Sequence, residues 1–289
     1  MRWQGGRQSD NVEDERSASG GGGSGGRGLK LGLGGIVVVA AAYFLGIDPR
    51  LVLGLMEATQ SGSPASQPAA PVPAGQQDEG YKFVSTVLAQ TEDAWSDIFK
   101  THGAQYEPPK LVLFRDGIQS ACGAAQTASG PFYCPGDQKL YIDLAFYDQL
   151  AREFKAPGDF AQAYVIAHEV GHHVQYLLGT ERKLRAAQER AGSDAAVNQL
   201  QVRMELQADC YAGIWANRSE RTEKIMEPGD LEEAIRAAAA VGDDTIQRRT
   251  RGYVVPESFT HGSAEQRMTW FKRGFDSGDV QACDTFAGA

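Results

Sequence analysis

One short motif, His-Glu-Val-Gly-His at residues 168–172, constrains the fold of this chain more than any other feature. The surrounding residues 158–178 contain apolar positions at helical spacing and no proline, which predicts a helix. Residues four apart lie on the same face of a helix, so His168 and His172 can bind one metal ion together. Glu169 is turned by about 100 degrees and can act on a water without binding the metal. The alternative is an amphipathic helix whose histidines only pack.

A catalytic zinc site takes three protein ligands, so the two histidines leave it one ligand short. The HExxHxxGxxH pattern would need glycine and histidine at Gln175 and Leu178, and the inverted motif HxxEH does not occur. A later ExxxD segment offers Glu205 as the third ligand, with Asp209 as acceptor for the N–H of a ligand histidine. Alone, ExxxD is more typical of a solvated helix face, but small and apolar neighbours indicate a buried helix. His173 falls on the apolar stripe and is expected to pack or to donate a hydrogen bond, without binding metal.

The chain before this region divides into three segments by composition. Residues 1–28 are polar, charged and glycine-rich, which predicts disorder. Residues 29–47 contain an apolar run of about 17 residues, which is at the short end of a membrane span. Residues 48–78 form a linker rich in proline and alanine.

Three interpretations fit residues 29–47: a retained signal anchor, a cleaved signal peptide and a buried core helix. We expect the anchor, because the charged lead is long for a signal peptide and no clear cleavage site closes the apolar run. A core helix would not lie between a glycine-rich and a proline-rich linker. The basic residues that flank the run are Arg16, Arg27 and Lys30 before it and Arg50 after it. The positive-inside rule then predicts one membrane crossing, with the N-terminus in the cytoplasm and residues 79–289 outside it.

Residues 79–289 are predicted to form an α+β domain that is mainly helical, with a small sheet before the motif helix. Residues 109–114 and 139–144 have the composition of strands. Phe132 to Cys134 is either an edge strand that pairs with an extended substrate or an ordinary hairpin.

The four cysteines are expected to form disulfides, because the predicted compartment permits them and none lies in a CxxC pair. We expect Cys122 to pair with Cys134 and Cys210 with Cys283, which is one of three possible pairings. The net charge of −9 and the pI near 5.1 argue against a nucleic-acid partner.

Four sequence blocks, residues 130–135, 168–175, 205–213 and 260–267, together with the opening residues 1–14, carry a family resemblance. Behind a membrane segment, this set resembles the bacterial neutral zinc metallopeptidase family. The resemblance implies a zincin-like, gluzincin-type peptidase domain in the bacterial inner membrane, with one Zn²⁺ per chain and a polypeptide substrate.

His261 lies just before a predicted helix and downstream of the predicted ligands. Its position resembles that of the gluzincin histidine that stabilises the oxyanion of the intermediate. The alternatives are a loop or helix-capping histidine and a contact to another residue of the site.

These features predict a membrane-anchored zinc metalloendopeptidase that hydrolyses peptide bonds by a zinc-activated water, with Glu169 as general base. The alternative is a catalytically silent, zinc-stabilised extracytoplasmic binding domain. The glutamate argues against it, because a structural zinc site needs no general base. The sequence indicates neither a protein partner nor the oligomeric state.

Overall fold

The computed structural model describes residues 1–17, 77–126 and 129–287 of the chain. In this part the fold is mainly helical with a small sheet, as the sequence predicts. The strands are β1 Val12–Asp14, β2 Lys110–Phe114, β3 Gly117–Ser120, β4 Gly123–Gln126, β5 Phe132–Cys134 and β6 Lys139–Asp143. The helices are α1 Glu79–Thr101, α2 Ala145–Arg152, α3 Asp159–Leu177, α4 Thr180–Gln188, α5 Asp194–Glu223, α6 Asp230–Ala240, α7 Asp243–Arg251 and α8 Ala264–Ser277, with two 3-10 turns at Pro256–Ser258 and Val280–Cys283.

The main sheet has the strand order β1-β2-β6-β5. β1, β2 and β6 are parallel, and β5 runs antiparallel to β6 at the edge. Successive side chains of β2 and β6 point to opposite faces of the sheet, and both faces are buried, as is typical of parallel strands. The side chains in the main core are Leu111, Leu113, Leu140 and Ile142, and those in the small cluster on the other face are Val112, Phe114 and Tyr141. β3 and β4 form a separate hairpin.

The predicted disorder of residues 1–28 is wrong for residues 1–17, which are part of the domain. Val12 to Asp14 pair with Leu111 to Leu113. Several polar residues of the segment have partners in the domain: Glu13 forms ion pairs with Lys110 and Lys139. The Met1 ammonium lies 2.7 Å from Asp159 at the start of α3. The composition of residues 1–28 predicted disorder because it does not reveal partners that lie about 100 or more positions away in the sequence.

The predicted membrane span, residues 29–47, lies outside the described residues, as does nearly all of the predicted linker 48–78. Within the described ranges, no helix has the length and apolar character needed to cross a membrane. Residues 1–17 belong to the same compact unit as the domain, so both must lie on one side of any membrane. A single crossing between a cytoplasmic N-terminus and an extracytoplasmic domain is therefore inconsistent with this fold.

Two glycines allow α3, α5 and α8 to pack closely. A Cβ on Gly171 would lie 3.0 Å from the carbonyl oxygen of Ala208, so the backbones of α3 and α5 are in contact there. A Cβ on Gly274 would lie 1.9 Å from the carbonyl oxygen of Cys210, which fixes α8 against α5 in the same way. The two contacts bring residues of three helices to one place in the core.

Two disulfides join distant parts of the domain. Cys122, at the turn between β3 and β4, is bonded to Cys134 at the end of β5. Cys210 on α5 is bonded to Cys283 near the C-terminus. This is the pairing expected from the sequence.

Candidate metal centre

The two motif histidines lie one turn apart on α3, which is buried along most of its length. The apolar side chains of Ile166, Val170 and Val174 pack fully into the core. Their packing fixes the rotation of the helix about its axis. His168 and His172 therefore lie together, with ring centroids 4.8 Å apart.

Glu205 reaches both imidazoles from α5. Its Oε2 atom lies 3.3 Å from Nε2 of His168 and 3.5 Å from Nε2 of His172. One ligand atom from each of these three residues lies within 4.8 Å of the other two. Two imidazole nitrogens and a carboxylate oxygen are the donor set of a catalytic zinc site, with a fourth position left for water or substrate.

The other nitrogen of each imidazole is held by a hydrogen-bond acceptor. Nδ1 of His168 donates to the carboxylate of Asp209 at 2.9 Å. Nδ1 of His172 donates to Oε1 of Gln175 at 2.9 Å, and the Gln175 amide is oriented because its Nε2 donates to the carbonyl oxygen of Met204. Both Nε2 lone pairs consequently point to the centre, as a metal requires. The residues present therefore fit zinc.

The charges of the site also fit a dication. Three buried carboxylates, Glu169, Glu205 and Asp209, are accompanied by one buried guanidinium, Arg267. A divalent cation brings the formal sum of these charges to zero. Burial acts to raise the pKa of Glu205, but the imidazoles of His172 and His168 hold it well below its usual range. Burial acts to lower the pKa of His168, but Asp209 and Glu205 raise it to about 9.

Glu169 is buried beside the ligands, with 8 % of its surface exposed. The three converging ligand atoms belong to His168, His172 and Glu205, so the Glu169 carboxylate remains available for proton transfer. Burial raises the pKa of Glu169, although the neighbouring histidines counteract this. A carboxylate with a raised pKa is a better proton acceptor than one in water.

His261 lies on the loop between α7 and α8, next to the α5 turn that carries Glu205. The loop packs closely there, since a Cβ on Gly262 would lie 3.2 Å from side-chain atoms of both Val202 and Leu206. Asp243 holds the loop: its Oδ2 accepts the backbone N–H groups of residues 260–262, and its Oδ1 lies 3.2 Å from Nδ1 of His261. The His261 side chain is 53 % exposed. Its Nε2 is thus not used by the Asp243 contact.

Asp209 is the centre of a buried network. Besides His168, its carboxylate accepts hydrogen bonds from the Tyr164 hydroxyl and from two guanidinium nitrogens of Arg267. Arg267 comes from α8 and Tyr164 from the turn of α3 that precedes His168. The carboxylate is therefore fixed from three directions.

His173 faces away from the metal centre and connects α3 to the sheet edge. Its Nε2 lies 2.7 Å from the carbonyl oxygen of Glu107, which can only accept, so Nε2 carries the hydrogen. Its Nδ1 then accepts the hydroxyl hydrogen of Tyr133 on β5 at 3.0 Å. His173 donates a hydrogen bond and packs, in line with its position on the apolar stripe.

The structure brings together the predicted ligands, His168, His172 and Glu205, and places Asp209 behind the first of them. Sequence reasoning missed Tyr164, Gln175, Asp243 and Arg267. Gln175 had a usable signal, because it follows His172 by three residues on the same helix face. Arg267 stands in the sequence block 260–267, but nothing in that block indicates which buried acid it meets.

An HExxH helix that receives a glutamate from a second helix gives this site the donor set of the two-histidine, one-glutamate zinc class. The chain belongs to the family described as "Putative neutral zinc metallopeptidase", which matches residues 1–286. This confirms the resemblance carried by the sequence blocks, and the family implies zinc as the cofactor.

Two bacterial relatives cover much of the chain. The uncharacterized protein YpfJ of Escherichia coli (strain K12) is 52% identical over 292 residues, which is 99% of each chain. The uncharacterized protein Rv2575 of Mycobacterium tuberculosis (strain H37Rv) is 42% identical over 219 residues, or 72% of each chain. No solved structure matches the chain.

Proposed function

We propose that this protein is a zinc metalloendopeptidase. The observation that carries the proposal is a buried Glu169 that interacts electrostatically with His168, His172 and Glu205, whose three ligand atoms converge. A zinc site that only stabilised the fold would need no such group and usually has four protein ligands.

When bound by His168, His172 and Glu205, zinc supplies Lewis acidity and lowers the pKa of a water toward about 7. Glu169 accepts a proton from the attacking water and delivers it to the leaving nitrogen of the cleaved peptide bond. Asp209 and Gln175 keep the two imidazoles in the required tautomer.

His261 stabilises the oxygen that gains negative charge when the peptide carbonyl is attacked. Nδ1 of His261 donates to Asp243. Burial acts to lower the pKa of His261, but Asp243 and Glu205 raise it, and in the protonated imidazole Nε2 also carries a hydrogen that it can donate to that oxygen. Because Asp243 also holds the three backbone N–H groups of the loop, the imidazole is oriented before substrate binds.

A polypeptide substrate fits the edge of the sheet next to α3. β5 is an edge strand with one side paired to β6. His173 and the disulfide from Cys122 hold this strand in place. An extended peptide can pair with such an edge through its backbone.

The compartment of the protein is part of the proposal. The two disulfides favour an oxidising, extracytoplasmic location for the folded unit. The apolar residues 29–47 attach it to the inner membrane, with residues 1–17 on the same side as the domain. A single membrane crossing, which the flanking basic residues predict, would place residues 1–17 and the domain on opposite sides and is therefore not part of the proposal.

The test is cleavage of an unfolded protein by the purified full chain loaded with zinc. Glu169→Gln keeps the shape of the side chain but removes the base, so turnover is expected to fall by about 100-fold or more. Glu189→Gln, at an exposed position, is the matched control and should cleave like wild type. Bound zinc without cleavage by any of the three would contradict the enzyme proposal and favour the zinc-stabilised binding domain.

A further inference from the structure

Arg267 is the only buried lysine or arginine in residues 1–17, 77–126 and 129–287. Its Nε donates to Oδ2 of Asp209 at 2.8 Å, and its NH2 group donates to Oδ1 at 2.9 Å. The same NH2 group lies 3.2 Å from the Tyr164 hydroxyl. Burying a guanidinium is energetically unfavourable unless its planar fork meets a well-placed carboxylate.

The fork determines which way the Asp209 carboxylate faces. With both oxygens held by Arg267, the plane of the carboxylate is fixed, and Oδ1 is directed at Nδ1 of His168, 2.9 Å away. The Tyr164 hydroxyl also donates to Oδ1 and restricts its movement. The direction of this bond sets the orientation of the imidazole, and hence the direction of the Nε2 lone pair toward the centre.

The backbone of α8 supports this geometry. Gly274, two turns after Arg267, lies against Cys210, the residue that follows Asp209 on α5. The backbones of α8 and α5 are therefore in close contact two turns from Arg267. This contact holds the helix that carries the guanidinium next to the helix that carries Asp209.

We propose that Arg267 is a positioning residue for the zinc site, acting through Asp209 on His168, with Tyr164 assisting. The inference rests on the zinc site of the proposed function, but not on peptidase activity. A guanidinium that only stabilised the core would affect unfolding and leave metal affinity unchanged.

The experiment measures the zinc dissociation constant of the full chain by competition with a chelator. Arg267→Lys keeps the charge but replaces the fork with one nitrogen, so zinc affinity is expected to fall by about 10- to 100-fold. The visible spectrum of the Co²⁺-substituted variant should change as well, because a ligand imidazole is reoriented. Arg273→Lys, on an exposed position of the same helix, is the matched control and should match wild type in both readouts.

A double-mutant cycle shows whether Arg267 acts through Asp209. Asp209→Asn combined with Arg267→Lys should bind zinc within about two-fold of Asp209→Asn alone, because both changes remove one interaction. Wild-type zinc affinity and an unchanged Co²⁺ spectrum in Arg267→Lys, with a lower unfolding temperature, would overturn the proposal. Additive losses in the double variant would overturn it too.

If Arg267→Lys does not fold, Tyr164→Phe tests the positioning role instead, because this variant removes one buried hydroxyl and keeps the ring. Zinc affinity is then expected to fall by about three-fold or more, and an unchanged affinity contradicts the proposal. A wild-type chain that does not bind zinc refutes both this inference and the proposed function. Zinc binding without cleavage refutes the function alone.

Discussion

At the scale of residues, two adjacent histidines on α3 have opposite electrostatic surroundings. His172 faces Glu205; burial acts to lower its pKa, but the carboxylate raises it. His173 meets only a backbone carbonyl and a hydroxyl, and burial lowers its pKa to about 4. A one-residue step along a helix thus separates a proposed metal ligand, His172, from a neutral hydrogen-bonding residue, His173.

The neutral His173 makes stability dependent on pH. The unfolded chain protonates this imidazole near pH 6.5 and the folded chain only near pH 4, so its contribution is present above about 6.5 and is lost as pH falls toward 4. Between pH 7 and pH 5 the loss is about 2 kcal/mol. The amide of His173→Gln can replace both hydrogen bonds but does not titrate. The free energy of unfolding, measured in urea, should therefore fall between pH 7 and pH 5 by about 2 kcal/mol less in this variant than in wild type. An equal fall in variant and wild type would show that His173 is not buried in the neutral form.

The local roles at this scale could be predicted, and the remote ones could not. His168, Glu169 and His172 follow from helical geometry over five residues. The contact between Asp243 and His261 joins residues of two elements, and no spacing rule indicates it. The role of Arg267 could not be predicted for the same reason, because its partner Asp209 lies on another helix.

At the scale of elements, the site depends on how closely α3 and α5 approach each other. Glu205 reaches the histidines because Gly171 lets the two backbones touch. Helical periodicity predicted α3 with bounds close to Asp159–Leu177, and the small and apolar neighbours of Glu205 predicted a buried helix there, which is α5. The sequence did not predict that the two helices are in contact, because nothing near Gly171 indicates that it packs against Ala208.

Gly171→Ala should push these helices apart. The added Cβ lies 3.0 Å from a backbone oxygen, so α5 must shift by a few tenths of an ångström. We expect a loss of about 1–3 kcal/mol in the free energy of unfolding, together with weaker zinc binding. Gly192→Ala is the control, because its Cβ would have no heavy atom within 4 Å. Wild-type zinc affinity in Gly171→Ala would show that the close approach does not position Glu205.

At the scale of the whole molecule, the first 17 residues belong to the domain that residues 77–287 form. Glu13, Asn11 and Arg7 each bond to side chains more than 80 positions away. A polar composition conceals such a segment, because its stability comes from partners that only the tertiary fold supplies. A fragment that begins at Asp78 would lack β1 and leave Lys110 and Lys139 without their acidic partner.

The shared fold predicts that residues 1–17 and the domain after the intervening segment lie on one side of any membrane. All four native cysteines are paired, so a single introduced cysteine can be labelled selectively. Gln4→Cys and Lys272→Cys, both at exposed positions, should react alike with a membrane-impermeant maleimide on intact cells. Labelling of both supports the extracytoplasmic location, and labelling of neither contradicts it. Labelling of only one would contradict the fold of residues 1–17.

The measurement that tests the metal site most directly is the zinc content of the full chain after removal and reloading of metal. Wild type and Glu169→Gln are expected to hold one zinc per chain, because Glu169 is not one of the proposed ligands. Glu205→Ala and His168→Ala are expected to retain little or no zinc, since each removes one of the three ligand atoms that converge between α3 and α5. A wild-type chain without zinc, or a Glu205→Ala variant with a full zinc complement, would contradict the proposed metal site.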